Sequence, residues 1–393
     1  MLSKDKNNLL IEVLVNIGIY FVIILSFSTI LLSKENKLNY LSIGLLLLSI
    51  GYFYVYHILA KKKLIIKYPF LFVLLLSYIT IISLLGIIKG QYSIILFTFS
   101  SIILLIFFQQ YFFPTNKKLI YNRIFGILVI IESISIILAF VSLYVINKST
   151  EKYLTTIFLN RNTLGIILLW GYWANTIIQN KYINNKIVKV ISIILFISIF
   201  LTGSRSSILA LLIFWIFQNP IKRLIIISIV SIICLLLFGS VLEDYYRFEK
   251  GASHRDHLWK AGIESWEKSP IIGSGYNSHK KLMLQNHTIR TFAGGYLKNL
   301  SPHNTYIRYL IDFGIIGLAL YLFIWGWVII QLIHSRTHLA KINSGYIMGI
   351  MTHQFFETEF LFGLSYNNIM LLIFIYLSLS LNKLVEENDI CKE

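Results

Sequence analysis

Charge is scarce in this chain. Of its 393 residues only 13% are Asp, Glu, Lys or Arg, while 56% are hydrophobic and the mean hydropathy is +0.72. A soluble globule cannot hide that much apolar surface, so the composition excludes one and points to a polytopic membrane protein. Cysteine is nearly absent. Cys234 lies inside an apolar run and Cys391 in the tail, which excludes a disulfide framework and any cysteine-based metal or redox spacing. Strand-length alternation is missing as well. Apolar runs of about 16 to 27 residues exclude a β-barrel and call for helices, because in a bilayer every backbone group needs an internal partner. There is no internal repeat, heptad or low-complexity linker. The first apolar run, 9–32, is too long for a signal-peptide core and no small-x-small cleavage site follows it, so it reads as a retained span.

What is there is organised by basic loops. Lys and Arg number 35 against 18 Asp and Glu, for a net charge of +17. Most of these bases fall in short loops between apolar runs, where they set orientation, and this outweighs a nucleic-acid reading. The pattern predicts an all-α fold of about twelve spans, at 9–32, 39–60, 68–88, 93–113, 121–146, 162–179, 187–202, 205–218, 222–242, 306–333, 341–356 and 366–382. The stretch 190–217 is broken only by Gly203-Ser204-Arg205-Ser206-Ser207, and reading it as two short spans keeps Lys222 and Arg223 inside. Both termini are then cytoplasmic. Three regions follow: helices 1 to 9 over 1–242, a large external loop over 243–305, and helices 10 to 12 with a cytoplasmic tail over 306–393.

The external face collects the unusual residues. Arg205 is an isolated charge in apolar surroundings. It is either an interfacial arginine reaching water or, with Gly203 and Ser204 leaving the backbone open at a helix start, part of an anion site. Between residues 243 and 308 Lys and Arg outnumber Asp and Glu, which fits a solvated basic loop or a site for a phosphorylated lipid. Arg255 stands out from the neighbouring lysines because a guanidinium fork matches phosphate oxygens. The apolar positions 258, 259, 262, 263 and 266 suit an amphipathic helix on the membrane surface, and Pro270, Gly273 and Gly275 then make a turn.

His303 follows Pro302 where water meets bilayer, and imidazole is the side chain best suited to move a proton near neutral pH; a capping or interfacial role is the plain alternative. Asn304 suits a helix N-cap. Arg308 and Asp312 form an i,i+4 pair, and Gly314 and Gly317 would let a neighbouring helix approach closely. Glu357 and Glu359 lie in a short outer loop after His353, where such carboxylates are more often simply solvated.

At three places the chain resembles the O-antigen ligase and O-antigen polymerase family: Gly203-Ser204-Arg205, the Arg255 to Gly275 stretch (R-x3-W, then P-x2-G-x-G), and His303-Asn304-x9-Gly314-x2-Gly317. The resemblance implies a polytopic enzyme of the bacterial cytoplasmic membrane with its active site facing the periplasm or exterior. It implies a donor saccharide on undecaprenyl diphosphate and inverting transfer to an acceptor hydroxyl, on a glycan or on lipid A–core, without metal, nucleotide or other cofactor. By the same resemblance His303 matches the base, and Arg205 and Arg255 the arginines that hold the diphosphate. A chain-length regulator or a flippase would be a further partner, and nucleic acid would not. A polymerase of O-antigen, capsule or exopolysaccharide units is favoured over a ligase, because the Ile-, Lys- and Asn-rich composition is that of an AT-rich genome, typical of polysaccharide gene clusters. A transporter or flippase for a lipid-linked substrate is the alternative from another class; it would place charges near mid-membrane in inverted halves, and no repeat is found.

Overall fold

A computed structural model describes residues 66–113, 117–146, 161–218, 255–285, 301–362 and 366–390, apart from 67, 93, 184 and 360, together with 50–51 and 54–55. Within these residues it is all-helical: α1 (Pro69–Ile88), α2 (Ile94–Phe112), α3 (Lys117–Ile146), α4 (Arg161–Lys181), α5 (Lys186–Leu201), α6 (Arg205–Gln218), α7 (Arg255–Trp266), α8 (Ser278–Gln285), α9 (Thr305–His334), α10 (His338–His353) and α11 (Tyr366–Ile390). The apolar run 190–217 is indeed two helices, with Gly203 at φ +61° between them. Three of the described helices are long and apolar enough to cross a membrane: Pro69–Ile88, Leu119–Tyr144 and Thr305–His334. Phe97–Phe112, Arg205–Gln218 and Asn368–Leu384 are apolar but shorter. The expected spans 9–32 and 222–242, the span 39–60 apart from 50–51 and 54–55, both cysteines, and the segments 243–254 and 286–300 expected to be external lie outside the described residues.

The chain divides into two compact units. One holds residues 103–202 and 362–393 together with the chain before Phe70. In it α4 is buried continuously from Leu164 to Ile178, with the buried Asn175 side chain bonded to Glu132. A β-carbon on Gly171 would lie 2.3 Å from the Ser135 side chain, so α3 and α4 touch almost backbone to backbone. The Ser135 hydroxyl sits 2.8 Å from its own helix carbonyl at Ile131 and 3.0 Å from Ile167 across the interface. Tyr376 of α11 stacks on Phe112 and Phe108 of α2.

The other unit comprises residues 70–102 and 203–361. Its α6 and α10 pack through Gly345 and Gly349, a small-xxx-small pair. A β-carbon on Gly349 would meet the Ala210 carbonyl oxygen at 2.7 Å, and one on Gly345 would meet Phe217 at 2.7 Å. As the chain advances along α10 from 345 to 349, its neighbour on α6 recedes from Phe217 to Ala210, so the two helices run antiparallel.

The second organising feature is a break in α9. Gly314 has φ +66° and ψ −163°, a conformation closed to residues with a β-carbon. The break frees backbone groups that the turn after α7 satisfies. Ser274 and Gly275 N–H donate to the carbonyls of Ile311 and Asp312, each at 2.8 Å; Ile315 and Ile316 N–H donate to Pro270 (2.9 Å) and Ile271 (3.3 Å). Gly273, at φ +68°, leaves no room for a β-carbon against the Asp312 carbonyl. The glycines of the two motifs therefore serve one another. At Gly314 the approaching element is this turn and not a helix, and a β-carbon on Gly317 would strike Phe313, brought over it by the kink.

The expectation that α7 lies on the membrane surface is corrected in one respect: its apolar face packs on protein. Leu258, Trp259, Ala261, Ile263 and Trp266 gather around Ile307, Ile311 and Met283, with Gly262 pressed against Ile307.

Gly314→Ala combines a positive φ with a clash of 2.2 Å against the Ile271 carbonyl. It is expected to cost about 1–3 kcal/mol, seen as a lower thermal unfolding midpoint of the detergent-solubilised protein. A midpoint equal to that of the parent would contradict the docking of turn on helix.

Candidate functional site

The site is assembled at the start of α9. Asn304 ends the preceding loop with an extended backbone, and its side chain accepts the Ile307 N–H at 3.0 Å, capping the helix. Capping at Asn304 fixes the residue before it. His303 is held at φ +45°, a left-handed conformation uncommon for a residue with a side chain, and its ring is 45% exposed and open to a reactant.

Two distant segments meet that ring. Glu357, in the turn beyond α10, brings Oε2 to 3.6 Å from His303 Nδ1. Its other oxygen, Oε1, accepts from Arg255 at 2.8 Å. The guanidinium also donates to the Phe356 carbonyl and lies 5.8 Å from the Phe356 ring centre. One carboxylate thus bridges the arginine at the start of α7 and the histidine before α9. Burial alone would push the Glu357 carboxyl up. The contact with His303, the nearby His353 and the Arg255 guanidinium outweigh it, so the group is held below the ordinary carboxylate value.

Arg205 opens α6. Ser204 caps that helix, with its hydroxyl 3.4 Å from the Ser207 N–H and 2.9 Å from the Ser207 hydroxyl. The antiparallel pairing of Ala210 with Gly349 gives the level of Arg205. Stepping back from Ala210 to Arg205, and forward from Gly349 to Gln354, covers about 7.5 Å along each helix. Arg205 therefore begins at the end of α10 that leads into Glu357. Arg205, Arg255, His303 and Glu357 share one end of this unit.

Three further residues are placed differently from their sequence reading. Asp312 is fully buried. It does meet Arg308 (3.4 Å), but it also accepts from Ser278 Oγ (3.0 Å) and from the His279 N–H (2.9 Å) and contacts His279 Nδ1 (3.0 Å), so it anchors the first turn of α8 to α9. Glu359 and His353 are both buried, 3.5 Å apart, behind Glu357. The outer-loop carboxylates are thus not solvated. Their scarcity was the signal in the sequence: Glu357 and Glu359 are the sole carboxylates between Asp312 and Glu386. Among the described residues no group of three or more His, Cys, Asp or Glu side chains is arranged to hold a metal.

Residues 190–322, which contain Arg205, Arg255, His303, Asn304, Gly314 and Gly317, match a family model described as O-antigen ligase. Over that segment the chain matches the O-antigen ligase family. Among curated relatives it is 25% identical over 127 residues to the O-antigen ligase of Pseudomonas aeruginosa, which covers 32% of this chain and 29% of that one. It is 30% identical over 82 residues to candidate polysaccharide ligases of Rickettsia felis and Rickettsia typhi, 20% of this chain and 20% of each relative. The chain spans less than a third of the length of these curated relatives. The O-antigen ligase segment ends before α10, so Glu357 reaches the site from outside it. The matched segment and the apolar helices both fit a membrane protein.

The depressed Glu357 fixes a pH dependence. Its contacts stabilise the fold fully above the ordinary carboxylate pKa, about 4.3, and that stability is lost as pH falls through its lower native value. The parent is expected to unfold at a higher temperature than Glu357→Gln at pH 6, with the difference closing below about pH 4. A difference independent of pH between 3 and 7, measured by thermal melts in detergent, would remove the ionic role.

Proposed function

We propose that this chain is a membrane glycosyltransferase that moves a saccharide from undecaprenyl diphosphate to an acceptor hydroxyl at the outer face of the cytoplasmic membrane. The observation that carries the reading is the bridge from Arg255 through Glu357 to His303, at the end of the unit where α6 presents Arg205. Phosphate-matching cations stand there beside a reachable imidazole.

In this reading His303 is the base. It takes the proton of the acceptor hydroxyl while the oxygen attacks the anomeric carbon opposite the diphosphate. The new glycosidic bond forms as the bond from that carbon to the diphosphate oxygen breaks, and configuration inverts. The bonding electrons pass to the leaving diphosphate, whose charge Arg205 and Arg255 stabilise; that electrostatic contribution is what a good leaving group most needs. No step calls for a metal. Glu357 orients the imidazole through the contact of its Oε2 with Nδ1. Arg255 is held by Glu357 and the Phe356 carbonyl and is presented ready for an anionic donor. The twelve-span topology, with both termini inside and residues 243–305 outside, belongs to the same proposal. Joining repeat units on the carrier lipid is the favoured reaction. Ligation to lipid A–core uses the same chemistry with another acceptor.

His303→Ala should lower glycan transfer by about 10²–10⁴-fold while the protein still inserts. Arg205→Ala and Arg255→Ala should weaken donor use strongly and Lys280→Ala little. Unchanged transfer in His303→Ala removes the base, and equal losses in all three cation variants reduce the site to a general basic surface. Transfer that survives a chelator is expected; loss restored by added metal would overturn the metal-free mechanism. In a deletion strain, a single repeat unit on the final acceptor identifies a polymerase, and long chains stranded on the carrier lipid identify a ligase.

A further inference from the structure

His303 and Glu357 come from segments far apart in sequence, and their spacing of 3.6 Å needs something to set it. The residue that joins the two segments is Thr305. It lies two positions beyond His303, in the first turn of α9, and is fully buried. Its hydroxyl donates to the Glu357 carbonyl at 2.9 Å and accepts the Glu359 N–H at 2.9 Å. Its own N–H donates to the Gln354 carbonyl at 2.9 Å. One residue thus makes three bonds to the backbone on either side of the carboxylate.

The rest of that turn is anchored around it. Gln354 donates to Glu359 Oε2 at 3.1 Å and accepts the Tyr321 hydroxyl at 2.6 Å. Ser301 meets Thr358 at 2.9 Å. Of these contacts, only those of Thr305 link the helix start that carries His303 directly to the backbone of Glu357. A hydroxyl is required because it donates and accepts at once; a methyl in its place would orphan a buried carbonyl and a buried N–H.

We propose that Thr305 is a positioning residue for the transfer reaction, whose hydroxyl holds the Glu357 carboxylate in register with His303 and Arg255. The inference rests on the reading of His303 as the base. The groups that face Glu357 are Arg255 from α7, His303 ahead of α9 and His353 from α10. Without the Thr305 bonds the carboxylate drifts from these partners, and its pKa returns toward the ordinary value.

The test compares the full chain with Thr305→Val, Thr305→Ser and His303→Ala in membranes. The donor is the undecaprenyl-diphosphate-linked glycan extracted from a deletion strain. Thr305→Val is expected to lose tenfold or more in kcat, and the acid limb of its pH–rate profile should move to lower pH, because the base His303 loses the negative charge beside it. Thr305→Ser should restore both rate and limb. A Thr305→Val profile of parent shape, whether at full or reduced amplitude, overturns the proposal, since a merely structural role scales the rate without moving the limb. Should Thr305→Val fail to accumulate, Thr305→Ala takes its place: a displaced limb supports the proposal and a parental one overturns it. If His303→Ala itself transfers at the parental rate, the base assignment fails instead. If His303→Ala is inactive and Thr305→Val is unaltered, only the positioning role fails.

Discussion

A helix in apolar surroundings cannot be interrupted unless the backbone groups it frees find partners. That constraint governs the second unit. Gly314 interrupts α9, and the turn from Pro270 to Gly275 supplies carbonyls and amides in the register the break demands. The consequence runs outward in both directions. On one side α7 is held with its apolar face on Ile307 and Ile311, which brings Arg255 to the head of α9. On the other side Asp312 gathers Ser278, His279 and Arg308 and fixes α8. The turn after α7 is tied to α9 by backbone hydrogen bonds, which are less tolerant of drift than side-chain packing.

The proposed site residues sit at the ends of packed helices. His303 precedes a capped helix start, Glu357 leaves a helix end, and Arg255 begins a docked helix. Each is at a terminus, where side chains can leave the packed interior without loss of backbone order. The carboxylate between the arginine and the histidine gives the guanidinium an oriented fork and the imidazole a directed nitrogen, which is the pre-organisation that a developing charge rewards.

Much of this was legible in the residues. Runs of apolar side chains located most of the described helices to within a few positions, whereas the polar α8 was not foreseen and α11 runs on to Ile390, past the expected end at 382. The break at Gly203, the cap at Asn304 and the turn at Pro270 were local signals with local causes. What was not legible was long-range. That Gly314 receives a turn and not a helix, that Asp312 serves His279 as well as Arg308, and that Glu357 meets Arg255 all depend on contacts between segments far apart in sequence. A carboxylate in a short loop looks solvated until the fold shows what stands over it. The scarcity of acids nearby was the remaining clue, and it was a weak one beside the general rule that loops carry charge.

The Gly345 and Gly349 contact has a consequence for how such a protein can diverge. With Ala210 and Phe214 resting almost on the backbone of α10, the helix that carries Arg205 and the helix that delivers Glu357 move as one piece. A lineage that enlarges a side chain in this seam must shift the other helix in step or lose the alignment of its arginine. The seam therefore sets a limit on side-chain size at Gly345 and Gly349 that the neighbouring loops do not share.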